Sequence, residues 1–289
     1  MAPHSNCRTA DRNFCAPDGK IAALFVDVDG TILVCQRYFD QAHANFAHFM
    51  KLRGFDPDES LKMLREIDHS ATEKVGFERD RFGKSLVEAY EHMRTKKRKR
   101  FKPEDIVNDR EICENIGRAP FFREPELFPN AATVLGRAKH NFKIFAVTIG
   151  NREAQKYKVR QAGLQPVFDE LIITSRDDKA SLVAQVIKDL NIDPKLSGFI
   201  GNSQRSDGAC LAHTNFVYLP LEPGWAYDKN AVLPQTGAFE MIEVSDWRQC
   251  EEKAINSLIR RRRVLMGPEG PTSVIGEQPC CKDRDLHKR

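Results

Sequence analysis

The first clear pattern along the chain is a continuous apolar run, 21–26, which ends at Asp27-Val28-Asp29-Gly30-Thr31. A short apolar run without alternation marks a strand buried on both faces, as in a parallel sheet. From about Tyr38 to about Gly117 the period becomes helical. Phe39, Ala42, Phe46 and Phe49-Met50 form one stripe, and Phe82, Leu86, Ala89 and Met93 form another. Each fits one face of an amphipathic helix, so the segment predicts a packed helical bundle. After Pro125 strands and helices alternate. Strands are expected over 143–148, 170–174, 198–201 and 215–219, with helices over 152–162, over 179–190 and near Cys210. Gly163 stops the first of these helices.

Repeated strand–helix units predict an α/β fold: a doubly wound parallel sheet with helices on both faces. Its first unit is interrupted by the all-helical segment. Residues 1–19 read as a flexible extension, 20–36 and 119–264 as the core domain, and 37–118 as a helical insertion. A terminal helix is expected over 245–263, capped by Ser245 or Asp246. The segment 265–289, rich in Gly, Pro and charge, reads as a disordered tail.

Composition narrows the class without choosing a function. With 289 residues and a hydrophobic fraction of 41%, the chain has material for a large core. No stretch approaches the ~18 to 20 apolar residues of a membrane helix. The polar first twenty residues show no secretory pattern, so a cytoplasmic setting is expected, with the eight cysteines reduced. None of these cysteines forms a CxxC pair; Cys35 follows the acidic loop closely. The net charge of +4 hides two basic runs, 96–100 and 260–263. Such runs can bind nucleic acid through phosphates. Without interleaved aromatics they fit solvated helix ends better, where positive charge meets the negative end of the macrodipole. No nucleic-acid or membrane partner is expected.

The candidate chemistry lies at the end of the first strand, where open α/β sheets bind ligands. Of two carboxylates placed two apart, one can attack phosphorus while the other gives and takes a proton. Magnesium would offset their repulsion toward a phosphate. Gly30 lets the backbone turn close to a ligand. Alone, the same residues read equally well as a structural DxDG turn.

Three further segments accompany the loop. An apolar strand closes at Thr148-Ile149-Gly150; Lys179 opens a helix after Asp177-Asp178; and Gly201-Asn202-Ser203 leads to Ser206-Asp207. Together the four segments resemble the motifs of the haloacid dehalogenase superfamily, specifically members with a helical cap inserted after the first motif. The resemblance covers roughly 21–219, and 37–118 has the position and length of that cap. It implies a Rossmann-like core and a magnesium-dependent phosphatase acting on a small phosphorylated metabolite. Asp27 would be the nucleophile and Asp29 the acid–base, with Thr148 and Lys179 neutralising the phosphoryl oxygens. Val28, Gly30, Thr31, Ile149 and Gly150 would line the substrate, and Asp27, Asp29, Asn202 and Asp207 would hold magnesium. Lys156 and Lys158 compete with Lys179 but sit inside the preceding helix. Asn202 stands where relatives often carry an aspartate, which puts metal affinity in question. In the cap, Lys74, Arg79 and Arg81 are candidate phosphate contacts. The superfamily also contains dehalogenases, which resemble this chain without the second aspartate, and phosphomutases, which keep it. A phospholigand- or nucleic-acid-associated binding protein is the alternative outside enzymes.

Overall fold

The apolar run after Lys20 becomes β1 (Ala23–Val26), buried at every residue. The structure, a computed structural model, describes residues 19–97, 101–223 and 231–266. Five more strands join β1: β2 (Lys143–Ile149), β3 (Glu170–Thr174), β4 (Gly198–Gly201), β5 (Asn215–Tyr218) and β6 (Met241–Glu243). They form one sheet in the order β3-β2-β1-β4-β5-β6, and every pair is parallel. The winding direction reverses between β1 and β4, which opens a crevice at their carboxyl ends. β6 had no counterpart in the sequence reading, because three residues are too few to show a period.

Alternate side chains of β1 feed two cores. Leu24 and Val26 pack with Val134 and Leu135 of α5 (Ala131–Ala138) and with Trp247. Ala23 and Phe25 face the other way, toward Phe199, Phe216 and Val183 of α7 (Lys179–Asp189). Helices on both faces leave β1 no solvent-facing side, hence its unbroken apolar run. Between β2 and β3 runs α6 (Arg152–Gln161), N-capped by the Asn151 side chain; Gly163, at φ 67°, follows its end.

The insertion consists of α1 (Gln36–Leu52), α2 (Pro57–Val75), α3 (Arg81–Lys96) and α4 (Pro103–Arg118). Both predicted stripes meet in a third hydrophobic cluster that includes Phe46, Met50, Phe82, Leu86 and Met93. Asp109, fully buried there, accepts from Tyr90 Oη at 2.8 Å and from the Arg53 guanidinium. The two chain crossings into the insertion pair with each other: Val34 N donates to Glu126 O at 2.8 Å and Phe128 N to Ile32 O at 2.9 Å. Glu222, after β5, completes the link. Its carboxylate accepts from the amides of Cys35, Gln36 and Arg37 at 2.9, 2.9 and 3.2 Å, satisfying the positive end of α1 from the core side.

Several expectations are corrected. The helix near Cys210 is a short 3₁₀ segment, Gly208–Ala212. The terminal helix is composite: α8 (Trp247–Gln249), a π-helical stretch (Cys250–Ile255) and α9 (Asn256–Met266). Asp246 caps it, accepting from Gln249 N at 2.9 Å. The basic run 260–263, expected as a solvated helix end, lies toward the end of α9 and is solvated only in part: Arg260 and Arg263 are exposed, Arg262 is buried and donates to Asn141 O, and Arg261 pairs with Glu240. Lys96 and Lys97 both pair with Glu59, and 98–100 lie outside the described residues. So do 1–18 of the expected extension and 267–289 of the expected tail. Cys35, Cys113, Cys210 and Cys250 are free thiols. Among the described residues no helix is long and apolar enough to cross a membrane.

Candidate active site

The loop after β1 turns back at once on itself. Gly30 N donates to Leu33 O at 2.7 Å, and Ile32 N and Leu33 N both donate to Val28 O. Asp27 N is tied to Ile200 O of β4 at 2.9 Å, so the loop sits over the β1/β4 crevice. Trp247 Nε1 donates to Thr31 O at 3.0 Å from below. Gly30 is required here: its φ is 82°, and a β-carbon would fall on the Asn202 side-chain amide.

Asp27 is 4% exposed. Lys179 Nζ, itself buried at the start of α7, donates to Asp27 Oδ1 at 2.5 Å and to Asp207 Oδ1 at 2.7 Å. Asp207 Oδ2 accepts from Ser203 N at 2.9 Å. Thr31 Oγ1 is shared between Asp27 Oδ2 at 3.1 Å and Asn202 Oδ1 at 3.2 Å. Two buried carboxylates thus divide one ammonium, and one negative charge is left over. Burial pushes the Asp27 carboxyl up to about 7; Lys179 pulls it down, while Asp207 and Asp29 add to the rise. Burial opposes the charge on Lys179, but Asp207 and Asp27 outweigh it and hold its pKa above the usual lysine range.

That surplus charge is the fit test for a cation. The oxygens converging on Thr31, from Asp27 and Asn202, are hard donors of the kind magnesium takes. Among the described residues no group of three or more His, Cys, Asp and Glu side chains is arranged as a metal cage. An ion taken by the Asp27 and Asn202 oxygens would fill the rest of its shell with water and substrate oxygens, a mode that suits magnesium.

Asp29 belongs to a separate system. Lys158 Nζ donates to its Oδ1 and Oδ2, both at 2.8 Å, and Gln155 Nε2 donates to Oδ2 at 2.7 Å. Burial works against the Lys158 charge, yet Asp29, Cys35 and Asp27 outweigh it and raise its pKa. The Cys35 thiol stands in the same cluster; burial, reinforced by Asp29, pushes its pKa well up.

The structure therefore gathers Asp27, Thr31, Lys179, Asn202 and Asp207 around one crevice, with Asp29 beside them. Thr148 is the penultimate residue of the adjacent β2; its Oγ1 is buried and has no hydrogen-bond partner, an orphan that a bound anion would satisfy. Of the loop amides, those of Asp27, Gly30, Ile32 and Leu33 are bonded to main-chain carbonyls, leaving Val28, Asp29 and Thr31 outside that set. Ile149 O accepts from Gln155 Nε2 at 3.0 Å, and Gly150 N is tied to Thr174 O at 2.8 Å. In the helical insertion, Arg81 is committed to Asp68, and Arg79 lies over the Phe122 ring with 4.4 Å to its centroid.

Gln155 and Glu222 were not among the expected site residues, and Lys158, weighed only as a rival to Lys179, pairs with Asp29 instead. A signal existed for α6: Gln155 shares the buried stripe with Val159, and a polar residue on an apolar face asks for a partner.

A family model described as haloacid dehalogenase-like hydrolase matches residues 21–212. Among solved structures, a haloacid dehalogenase-like family hydrolase from Xanthomonas campestris is 22% identical, with a TM-score of 0.65 over 84% of this chain and 98% of that one. At that identity it shows the fold. The putative HAD-hydrolase YfnB from Bacillus subtilis, bound to magnesium, is 15% identical with a TM-score of 0.47, over 81% of this chain and 98% of its own. A predicted phosphoglycolate phosphatase from Haemophilus somnus is also 15% identical at 0.47, over 80% and 96%. The last two likenesses carry no argument. No curated protein matches this chain.

Proposed function

The chain belongs to the haloacid dehalogenase-like hydrolase family, and from that membership we propose that it is a magnesium-dependent phosphatase of a small phosphomonoester. The observation that carries the reading is the division of the two aspartates. Asp27 is held by Lys179 and Thr31, while Asp29 is held by Lys158 and Gln155. A dehalogenase of this family needs the nucleophile alone, whereas phosphoryl transfer needs an acid–base beside it.

In the proposed reaction an Asp27 oxygen attacks phosphorus and the ester P–O bond breaks. Asp29 passes a proton from the bound phosphate monoanion to the departing oxygen and is left as the carboxylate that Lys158 and Gln155 hold. Water then attacks the aspartyl-phosphate, giving its proton to Asp29, and Asp27 is released with inorganic phosphate. Lys179 and the unpartnered Thr148 hydroxyl would hold the phosphoryl oxygens, where most of the catalysis of such transfers lies. Asp27, Asn202 and the Asp29 carbonyl would hold magnesium, which supplies charge neutralisation. Asp207, with its oxygens on Lys179 and Ser203 N, supports the site through the lysine. α1–α4 would act as a cap domain excluding water, hinged where Glu222 meets α1. Four free thiols support a reducing, cytoplasmic setting.

The test is phosphate release from a panel of phosphomonoesters, with magnesium or with chelator, for wild type and Asp27→Asn. Magnesium-dependent release that Asp27→Asn abolishes is expected. Release from no ester, with ligand binding intact, would overturn the reading in favour of a binding protein.

A further inference from the structure

Resting on that reading, we propose that Lys158, with Gln155, is the positioning residue for Asp29: α6 sets the acid–base aspartate in place for the second half of the reaction. Lys179 and Thr31 serve Asp27, Asp207 and Asn202, so the nucleophile's partners leave Asp29 unheld. Its carboxylate is fixed from α6 instead, by Lys158 on both oxygens and by Gln155 on one. The two residues are three apart on the helix, which places them on one face.

Gln155 shows that this arrangement carries a cost. Its Nε2 donates to both Asp29 Oδ2 and Ile149 O, while its Oε1 is buried without a partner. An orphaned buried acceptor destabilises the fold, because it has lost water and gained no partner. Turning the amide over would set Oε1 against the aspartate oxygen, so the orphan is the consequence of holding Asp29. Backbone room is reserved for the same contact. Gly150 has φ 149°, and a β-carbon there would lie 2.7 Å from Gln155 Nε2. Sites that keep uncompensated polar atoms and special backbone angles are characteristically functional ones.

A general base must present a fixed lone pair within hydrogen-bond reach of the proton it takes. The step most exposed to loss of the clamp is therefore hydrolysis of the aspartyl-phosphate, in which Asp29 receives the proton of water. An aryl ester such as p-nitrophenyl phosphate isolates this step, because nitrophenolate leaves without a proton.

The experiment is rapid-mixing kinetics with p-nitrophenyl phosphate and magnesium on wild type, Lys158→Met, Lys158→Arg, Gln155→Met, Asp29→Asn and Lys158→Met/Asp29→Asn. Lys158→Met is expected to release nitrophenol in a burst stoichiometric with enzyme, then turn over on the order of 10–100-fold more slowly than wild type. Lys158→Arg restores most of that turnover, Gln155→Met shows a smaller fall in the same step, and the double variant is no slower than Asp29→Asn alone. If Lys158→Met does not fold, Gln155→Met and Lys158→Arg carry the test. A merely structural role would lower burst rate and turnover together, or make the double variant additive; either result overturns the proposal. Failure of the phosphatase reading looks different, since the wild type itself would then release no nitrophenol.

Discussion

Asp27→Asn should stabilise the metal-free protein progressively as pH rises. Asp27 is buried beside Asp207 with one ammonium between them, and its carboxyl is raised from 3.8 to about 7. A group whose pKa is raised by folding contributes stability that is whole below its unfolded value and lost as pH passes its folded value. The window here is pH ~4 to ~7, above which the loss is complete. At about 1.4 kcal/mol per pH unit of that rise, the ceiling is about 4 kcal/mol. Replacing the carboxylate also weakens its bond to Lys179, at roughly 1.5–3 kcal/mol, but asparagine does not titrate. The telling quantity is therefore the change with pH in the difference between the two proteins. Urea unfolding in chelator at about pH 4.5 and 8.5 should show that difference moving by roughly 2–4 kcal/mol in favour of Asp27→Asn at the higher pH. A difference constant to within about 0.5 kcal/mol would refute the surplus-charge argument. Magnesium at about a hundred times its dissociation constant should then restore about 2.7 kcal/mol to the wild type at high pH and far less to the variant.

Three further perturbations probe other parts of the frame. Gly30→Ala puts a methyl group onto the Asn202 amide at a backbone angle of φ 82°; a loss of about 1–3 kcal/mol in urea unfolding is expected, together with weaker magnesium dependence. Trp247→Phe removes the donor to Thr31 O from a fully buried ring, and should cost about 1–3 kcal/mol, measured by thermal unfolding. His43 packs edge-on to Phe82, among Asp40, Asp68 and Arg65, and burial lowers its pKa. The unfolded chain therefore binds this proton more readily, so stability should fall as pH drops below about 6.5. His43→Gln should flatten that slope, as followed by melting temperature between about pH 5 and 8.

The core strands were legible because burial on both faces leaves an unbroken apolar run: 21–26 and 143–148 announced β1 and β2 directly. The insertion was legible because its stripes recur at helical spacing and meet in one cluster. Lys179 could be preferred from its place at a helix start, and the structure brings it to Asp27. Lys158 was set aside for lying inside a helix. A helix interior is no obstacle when one face of that helix looks into the crevice, and Gln155, in line with the buried Val159, marked that face. β6 and the contact from Glu222 to α1 left no local trace. Both depend on pairings made across the fold, which no short window of sequence contains.

The count of charges gives the asparagine at the end of β4 a physical reason. With Asn202, the buried nucleophile side carries Asp27, Asp207 and Lys179, a surplus of one negative charge. An aspartate at that position would add a second, and uncompensated buried charge is among the costliest features a fold can hold. The amide oxygen still accepts from Thr31 and still faces the site as a hard donor. An asparagine there keeps that oxygen without the second uncompensated charge, at the expense of attraction for a divalent cation. Asp29 stands apart from this balance because Lys158 neutralises it separately. Metal and phosphate bound at Asp27, as the proposed reaction requires, would then change the charge there and leave Asp29 held by α6.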